Sequence, residues 1–264
     1  HLHKVLKKHY KPVSADSQRS VLEHLLFACV LEDAHYEPAE ESFAGLVHTF
    51  FDWNEVRVTS IAELAEVMAS LPDPRRAANR VKRVLHSLFE DNFTFDLEAL
   101  RKQNLGPTIQ WLDKLEGTDH FVVAYVVQAA LGGHAIPIDS GTLHALHVVD
   151  LATDEDVAAG VVSGMERAIP KAKGVEFGSL LHQLGVDFAA NPYSPKMHAL
   201  LLEINPECES RFPNRRDARK AKSAARKAAA VAEGEESAAG SATGDDAGKP
   251  TGNAAGEKPA AARK

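Results

Sequence analysis

Residues 120–131 (HFVVAYVVQAAL) constrain this chain more than any other stretch. Apolar side chains recur on every side of the helix they would form, so that helix must lie inside a folded body. Gly117 precedes the run, and Gly132 and Gly133 follow it as a C-cap signal. The richness in Val also allows a buried strand. The run is long for a strand and its neighbours read as helices, which favours helix.

Those neighbours are periodic at helical spacing. Residues 20–31 place Val21, Leu22, Leu25, Leu26, Cys29 and Val30 for deep burial, and 41–51 carry Phe43, Leu46, Val47, Phe50 and Phe51. Ser60 with Glu63 three places on is a capping box opening 60–70, and the LPDP stretch (71–74) closes that helix. A helix over 75–91 turns Ala78, Val81, Val84, Leu85 and Leu88 inward and Arg75, Arg76, Arg80, Lys82 and Arg83 outward. Further helices fit 96–103, 107–115, 140–149, 154–168, 174–185 and 195–204, and there is no internal repeat. The chain is therefore expected to be all-α.

Charge divides the chain unevenly. Residues 211–264 hold 12 Lys/Arg and 7 Asp/Glu, leaving 18 and 30 in residues 1–210. An acidic body is a poor match to a simple cationic DNA-binding domain, but the basic tail can reach for polyanions. Residues 217–264 contain one Val and no Leu, Ile, Met or aromatic residue, so they cannot bury enough apolar surface to offset ordering and are expected to be disordered. No apolar run approaches a membrane span, and no long apolar run or cleavage site follows the basic start, so a soluble chain without a secretory signal is expected. Two cysteines, Cys29 and Cys208, cannot form a disulfide framework and are expected to be free thiols.

The segment carrying most chemistry runs from Trp111 to Leu146. It reads as helix, tight turn at Gly117, apolar helix, glycine stop, short loop, Asp139 and helix. A turn between two helices exposes backbone N–H groups at the start of the second, where an anion can bind. Asp139 stands at the mouth of the next helix, at a distance fixed by the helix between. On its own, Asp139 or Ser140 is also a good N-cap for 140–149.

This order resembles the helix–hairpin–helix (endonuclease III-like, HhH-GPD) DNA glycosylases. Their signature is a Leu-Pro-Gly-Val-Gly hairpin, a Lys-Thr-Ala start to the next helix, and a later Asp-Thr-His. Here the hairpin is Leu115-Glu116-Gly117-Thr118-Asp119, the helix starts His120-Phe121-Val122-Val123, and the later triplet is Asp139-Ser140-Gly141. The resemblance in helix order covers roughly residues 20–190. It implies two helical subdomains with a cleft between them: 20–133 with the hairpin, and 1–19 with 134–212. The tail occupies 213–264. It implies Asp139 as the catalytic carboxylate, stabilising an oxocarbenium-like transition state or orienting water at a flipped-out nucleotide. It also implies DNA contacts by Lys114, Gly117, Thr118 and His120, with Arg75, Arg76, Arg80, Arg211, Arg215 and Arg216 as the basic supplement.

Four departures qualify what the resemblance implies. Phe121 stands at the position of the family's nucleophilic Lys, so no Schiff-base lyase step is expected. Asp119 replaces the second hairpin glycine; Asp tolerates a left-handed backbone, but with Glu116 it brings negative charge to the phosphate side, where Lys114 and His120 are the nearest cations in sequence. No Gln follows the first body helix. Two distant cysteines cannot hold the iron–sulfur cluster many members carry, and the spacings of His182, His198 and Cys208 match no zinc pattern, so no metal or cofactor is expected. The first reading is thus a monofunctional base-excision glycosylase, acting as a monomer on double-stranded DNA with a damaged or mismatched base, cytoplasmic and nucleoid-associated, without membrane contact. The alternatives are a catalytically lapsed DNA-binding homologue and a helical protein-interaction module.

Overall fold

The computed structural model describes residues 1–215, apart from the side chain of Asn92. Arg216 and the rest of the expected disordered tail lie outside the described residues. Residues His1–Pro213 form one compact unit. In chain order its helices are α1 (Leu2–His9), α2 (Val21–Leu31), α3 (Tyr36–Thr49), α4 (Trp53–Val58), α5 (Ile61–Val67), α6 (Pro74–Asn92), α7 (Leu105–Leu112), α8 (His120–Ala129), α9 (Ser140–Val148), α10 (Asp154–Ala159), α11 (Met165–Ala168), α12 (Lys171–Ala190) and α13 (Pro195–Ile204). The described residues contain no strand, and the apolar run at 120–129 is helical rather than extended.

Local chemistry sets the boundaries. Ser20 and Glu23 form a capping box at α2, and Ser60 with Glu63 forms the one expected at α5. Asp73 caps α6 with Pro74 in its first turn, so the LPDP stretch ends one helix and starts another. The continuous helix expected over 154–168 is broken: Gly160 and Gly164 sit at φ 74° and 81°, which separates α10 from α11. Residues 98–102 form a 3₁₀ turn in place of the expected 96–103 helix. Helices α1 and α4 had no distinct periodic signal; α1 buries only Val5 and Leu6 and α4 only Val56.

Two apolar clusters fill the unit. One gathers α2, α6 and α8 with their neighbours, with Phe27, Leu85, Val122 and Val126 fully enclosed. The other gathers α9, α12 and α13 with Val5 and Leu6 of α1. Helix α2 is buried on all sides, and Arg19 lies 3.9 Å from the Phe27 ring centroid as a cation–π lid over its edge. In the second cluster, α9 crosses α12 through glycines. A Cβ on Gly141 would lie 2.3 Å from the Gly185 carbonyl oxygen, and one on Gly185 would lie 2.1 Å from Thr142 Oγ1 and 2.6 Å from Asp139 Oδ1. This close crossing positions the start of α9.

Gly185→Ala should therefore be strongly destabilising, by about 3 kcal/mol or more, because the clash is with backbone and a cap rather than a flexible side-chain end. Urea unfolding checks it; a loss below about 1 kcal/mol would mean that the helices can separate at little cost.

Candidate functional site

Asp139 is the N-cap of α9: its Oδ1 accepts from the Thr142 N–H at 2.7 Å. Its Oδ2 lies 2.7 Å from His182 Nδ1, and the side chains of both residues are 1% exposed. His182 is on α12, and its Nε2 lies 2.8 Å from the carbonyl oxygen of Ala34, just beyond α2. A carbonyl can only accept, so Nε2 carries a proton. The short Nδ1–Oδ2 contact then needs a second proton between ring and carboxyl. The pair is thus a protonated imidazole against a carboxylate, or its proton-shifted equivalent, wholly enclosed. Enclosure is completed by rings: Phe121 stacks on His182 at 5.2 Å and 28°, and Tyr36 meets it edge-on at 5.4 Å.

A pocket of about 200 Å³ is lined by Tyr36, Phe121, Tyr125, Gln128 and His182 among others. Asp139 is not among its lining residues. Phe121 brings a phenyl wall to the pocket. Sequence reasoning found Asp139 and Phe121 but treated His182 only as a metal candidate. Its pairing arises from residues 43 positions apart and has no local signal. No group of three metal-ligating side chains gathers among the described residues.

The hairpin forms as expected at Gly117, which has φ +95°; a Cβ there would lie 2.8 Å from the Arg80 carbonyl oxygen. Asp119 is extended (φ −144°) rather than left-handed, because it serves as the N-cap of α8 and accepts from the Val122 N–H at 3.0 Å. The Thr118 hydroxyl lies 2.8 Å from each of the Leu112 and Leu115 carbonyls, which ties it into the turn. The charge of this hairpin is compensated from α6, not by Lys114 or His120. Arg80 contacts Glu32 and lies 3.4 Å from Asp119, and Arg83 lies 3.3 Å from Glu116. Arg76 lies 2.8 Å from Asp33. These pairings join residues far apart in sequence, which is why spacing alone did not reveal them.

The remaining candidates scatter. Lys114 and Arg75 are exposed, and His120 lines a second pocket with Ile109, Val123 and Val162. Arg211 lies 2.6 Å from Asp150. Arg215, at the end of the described residues, is exposed. Beside the hairpin, burial, then the hydrogen bond with Asp119 and its charge, push the Glu32 carboxyl up to about 9, against the pull of Arg80.

Asp139→Asn can keep the helix cap through Oδ1 and donate from Nδ2 to a neutral His182, so its cost should stay below about 1.5 kcal/mol. Asp139→Ala and His182→Ala each strand a buried partner and should cost about 3–5 kcal/mol in denaturant midpoints. Equal losses for all three would show that the pair carries no weight. For Glu32, the folded form keeps a proton that the unfolded chain loses above about 4.5, so wild-type stability falls from there toward pH 9. Glu32→Gln lacks that slope. Its stability relative to wild type should rise between pH 5 and pH 8, by at most about 1.4 kcal/mol per unit; a pH-independent difference would contradict the assignment.

No family model and no curated protein matches the sequence significantly. The fold does have solved counterparts. An endonuclease III trapped as a covalent DNA intermediate, in an estranged-adenine complex, aligns with TM-score 0.53 at 16% identity, covering 80% of this chain and 95% of that one. A non-covalent endonuclease III–DNA complex gives 0.53 at 18% identity, covering 80% and 94%. The protein has the all-helical fold of endonuclease III.

Proposed function

We propose that the protein is a DNA-binding relative of the base-excision glycosylases that engages duplex DNA without cutting the glycosidic bond. The fold shared with endonuclease III, solved on DNA, supports the first half of this reading. One observation supports the second: both oxygens of Asp139 are engaged inside the protein, by the Thr142 N–H and by His182, and the side chain is closed off from the pocket. A carboxylate so placed cannot stabilise a sugar cation or orient water without first giving up one of these partners. Phe121 supplies no amine for a covalent step.

The hairpin fits the same reading. A DNA phosphate approaching Gly117 meets Asp119 and Glu116, which already hold Arg80 and Arg83. Binding then relies on exposed cations such as Arg75 and Lys114 and on the basic block beginning at Arg211. A monofunctional glycosylase is the second reading. It is favoured by the fact that His182, the partner of Asp139, lines the pocket, so a single hydrogen bond separates the carboxylate from it.

Duplexes carrying uracil, mismatched thymine, alkylated or oxidised bases should bind with an affinity that Asp139→Asn leaves unchanged and should yield no alkali-labile sites at high protein. Borohydride should trap no covalent complex with an abasic duplex. Base release that Asp139→Asn abolishes would establish the monofunctional reading instead. Removing residues 211–264 should weaken binding and flatten its salt dependence; unchanged affinity would exclude the tail from the interface.

A further inference from the structure

We infer that the pocket beside His182 binds an uncharged, flat ring that presents an N–H on its edge. This rests on the DNA-binding reading only if the ring is carried by a nucleic acid; the same chemistry is offered by a free heterocycle. Shape sets the first limit. The walls are themselves flat: Phe121 lies 5.2 Å from His182 and 6.3 Å from Tyr125, at interplanar angles of 28° and 33°. A volume of about 200 Å³ lined by these rings and Tyr36 accepts one or two fused rings packed against them.

Charge sets the second limit. None of the residues lining this pocket is Asp, Glu, Lys or Arg. The Asp139 carboxyl is covered by His182 and shares a proton with that ring. A cationic ring would be desolvated with no counter-charge in the lining and would face an imidazole whose two nitrogens are already engaged by Asp139 and the Ala34 carbonyl. Its one compensation would be the aromatic faces.

The edge sets the third. Gln128 lines the pocket, and its Nε2 donates to the Ala135 carbonyl at 2.5 Å. That bond fixes the amide orientation and leaves Oε1 as the acceptor. Gly178, on α12, lines the pocket too, and a Cβ there would lie 3.5 Å from this oxygen. The absence of a side chain at Gly178 keeps the approach to Oε1 open. An N–H at the ring edge meets Oε1, whereas an N-alkylated edge leaves it unpaired.

Saturation-transfer NMR on the full chain tests this with three ring probes: 2-pyridone, its N-methyl derivative, and N-methylpyridinium. 2-Pyridone should bind at least about fivefold more tightly than N-methyl-2-pyridone, the worth of one hydrogen bond, and N-methylpyridinium should give no signal. Gln128→Glu should reverse the order of the neutral and cationic rings. Gly178→Val should remove 2-pyridone binding while leaving affinity for an undamaged duplex unchanged. Equal binding of the three probes, no binding of any, or an order that Gln128→Glu does not alter would overturn the inference. A chain that binds 2-pyridone as described but no duplex would leave the pocket assignment standing and remove the DNA-binding reading; the converse would remove only the pocket assignment.

Discussion

The buried bridge from Asp139 through His182 to the Ala34 carbonyl is the interaction on which the site depends. It begins at the start of α9, passes through α12, and ends just beyond α2, so it ties the second apolar cluster to the first. Its members are enclosed, so each polar atom must be satisfied within the protein, and removing one strands another. The crossing of Gly141 against Gly185 brings α12 close enough to build it. Phe121 and Tyr36 then pack against the imidazole. A carboxylate held in this way is a structural element first.

The hairpin follows the same logic on a more exposed surface. The groups an incoming phosphate would meet are already engaged within the protein: the α8 N-terminus by Asp119, Arg80 by Asp119 and the protonated Glu32 carboxyl, and Arg83 by Glu116. The acidic excess of residues 1–210 is therefore not spread evenly over a solvated surface. Part of it lies against the basic face of α6, with Asp33 on Arg76, Asp119 on Arg80 and Glu116 on Arg83. The hairpin serves as a packing device, with Gly117 against the α6 backbone.

Much of this was readable from residue order. Helical periodicity located α2, α6, α8, α9 and α13 closely, because each has a deeply buried face and a cap with a side-chain or proline signature. The residue order placed Gly117 in the turn before α8 and Asp139 at the start of α9. What escaped was either weakly periodic or distant. Helix α4 is six residues long with one buried side chain, too short to show a period. The break between α10 and α11 depends on two glycines taking positive φ, which composition alone does not dictate. His182, Arg80 and Arg83 find their partners through tertiary packing, and nothing in their local sequence distinguishes them from other histidines and arginines.

The central claim is that Asp139 remains occupied by the protein when DNA is present. A crystal structure with a duplex containing a stable abasic-site analogue tests it most directly. The account predicts that His182 Nδ1 stays within hydrogen-bond distance of Asp139 Oδ2 and that the Thr142 cap is intact. A structure in which His182 has swung away and a carboxylate oxygen of Asp139 faces the sugar would contradict it.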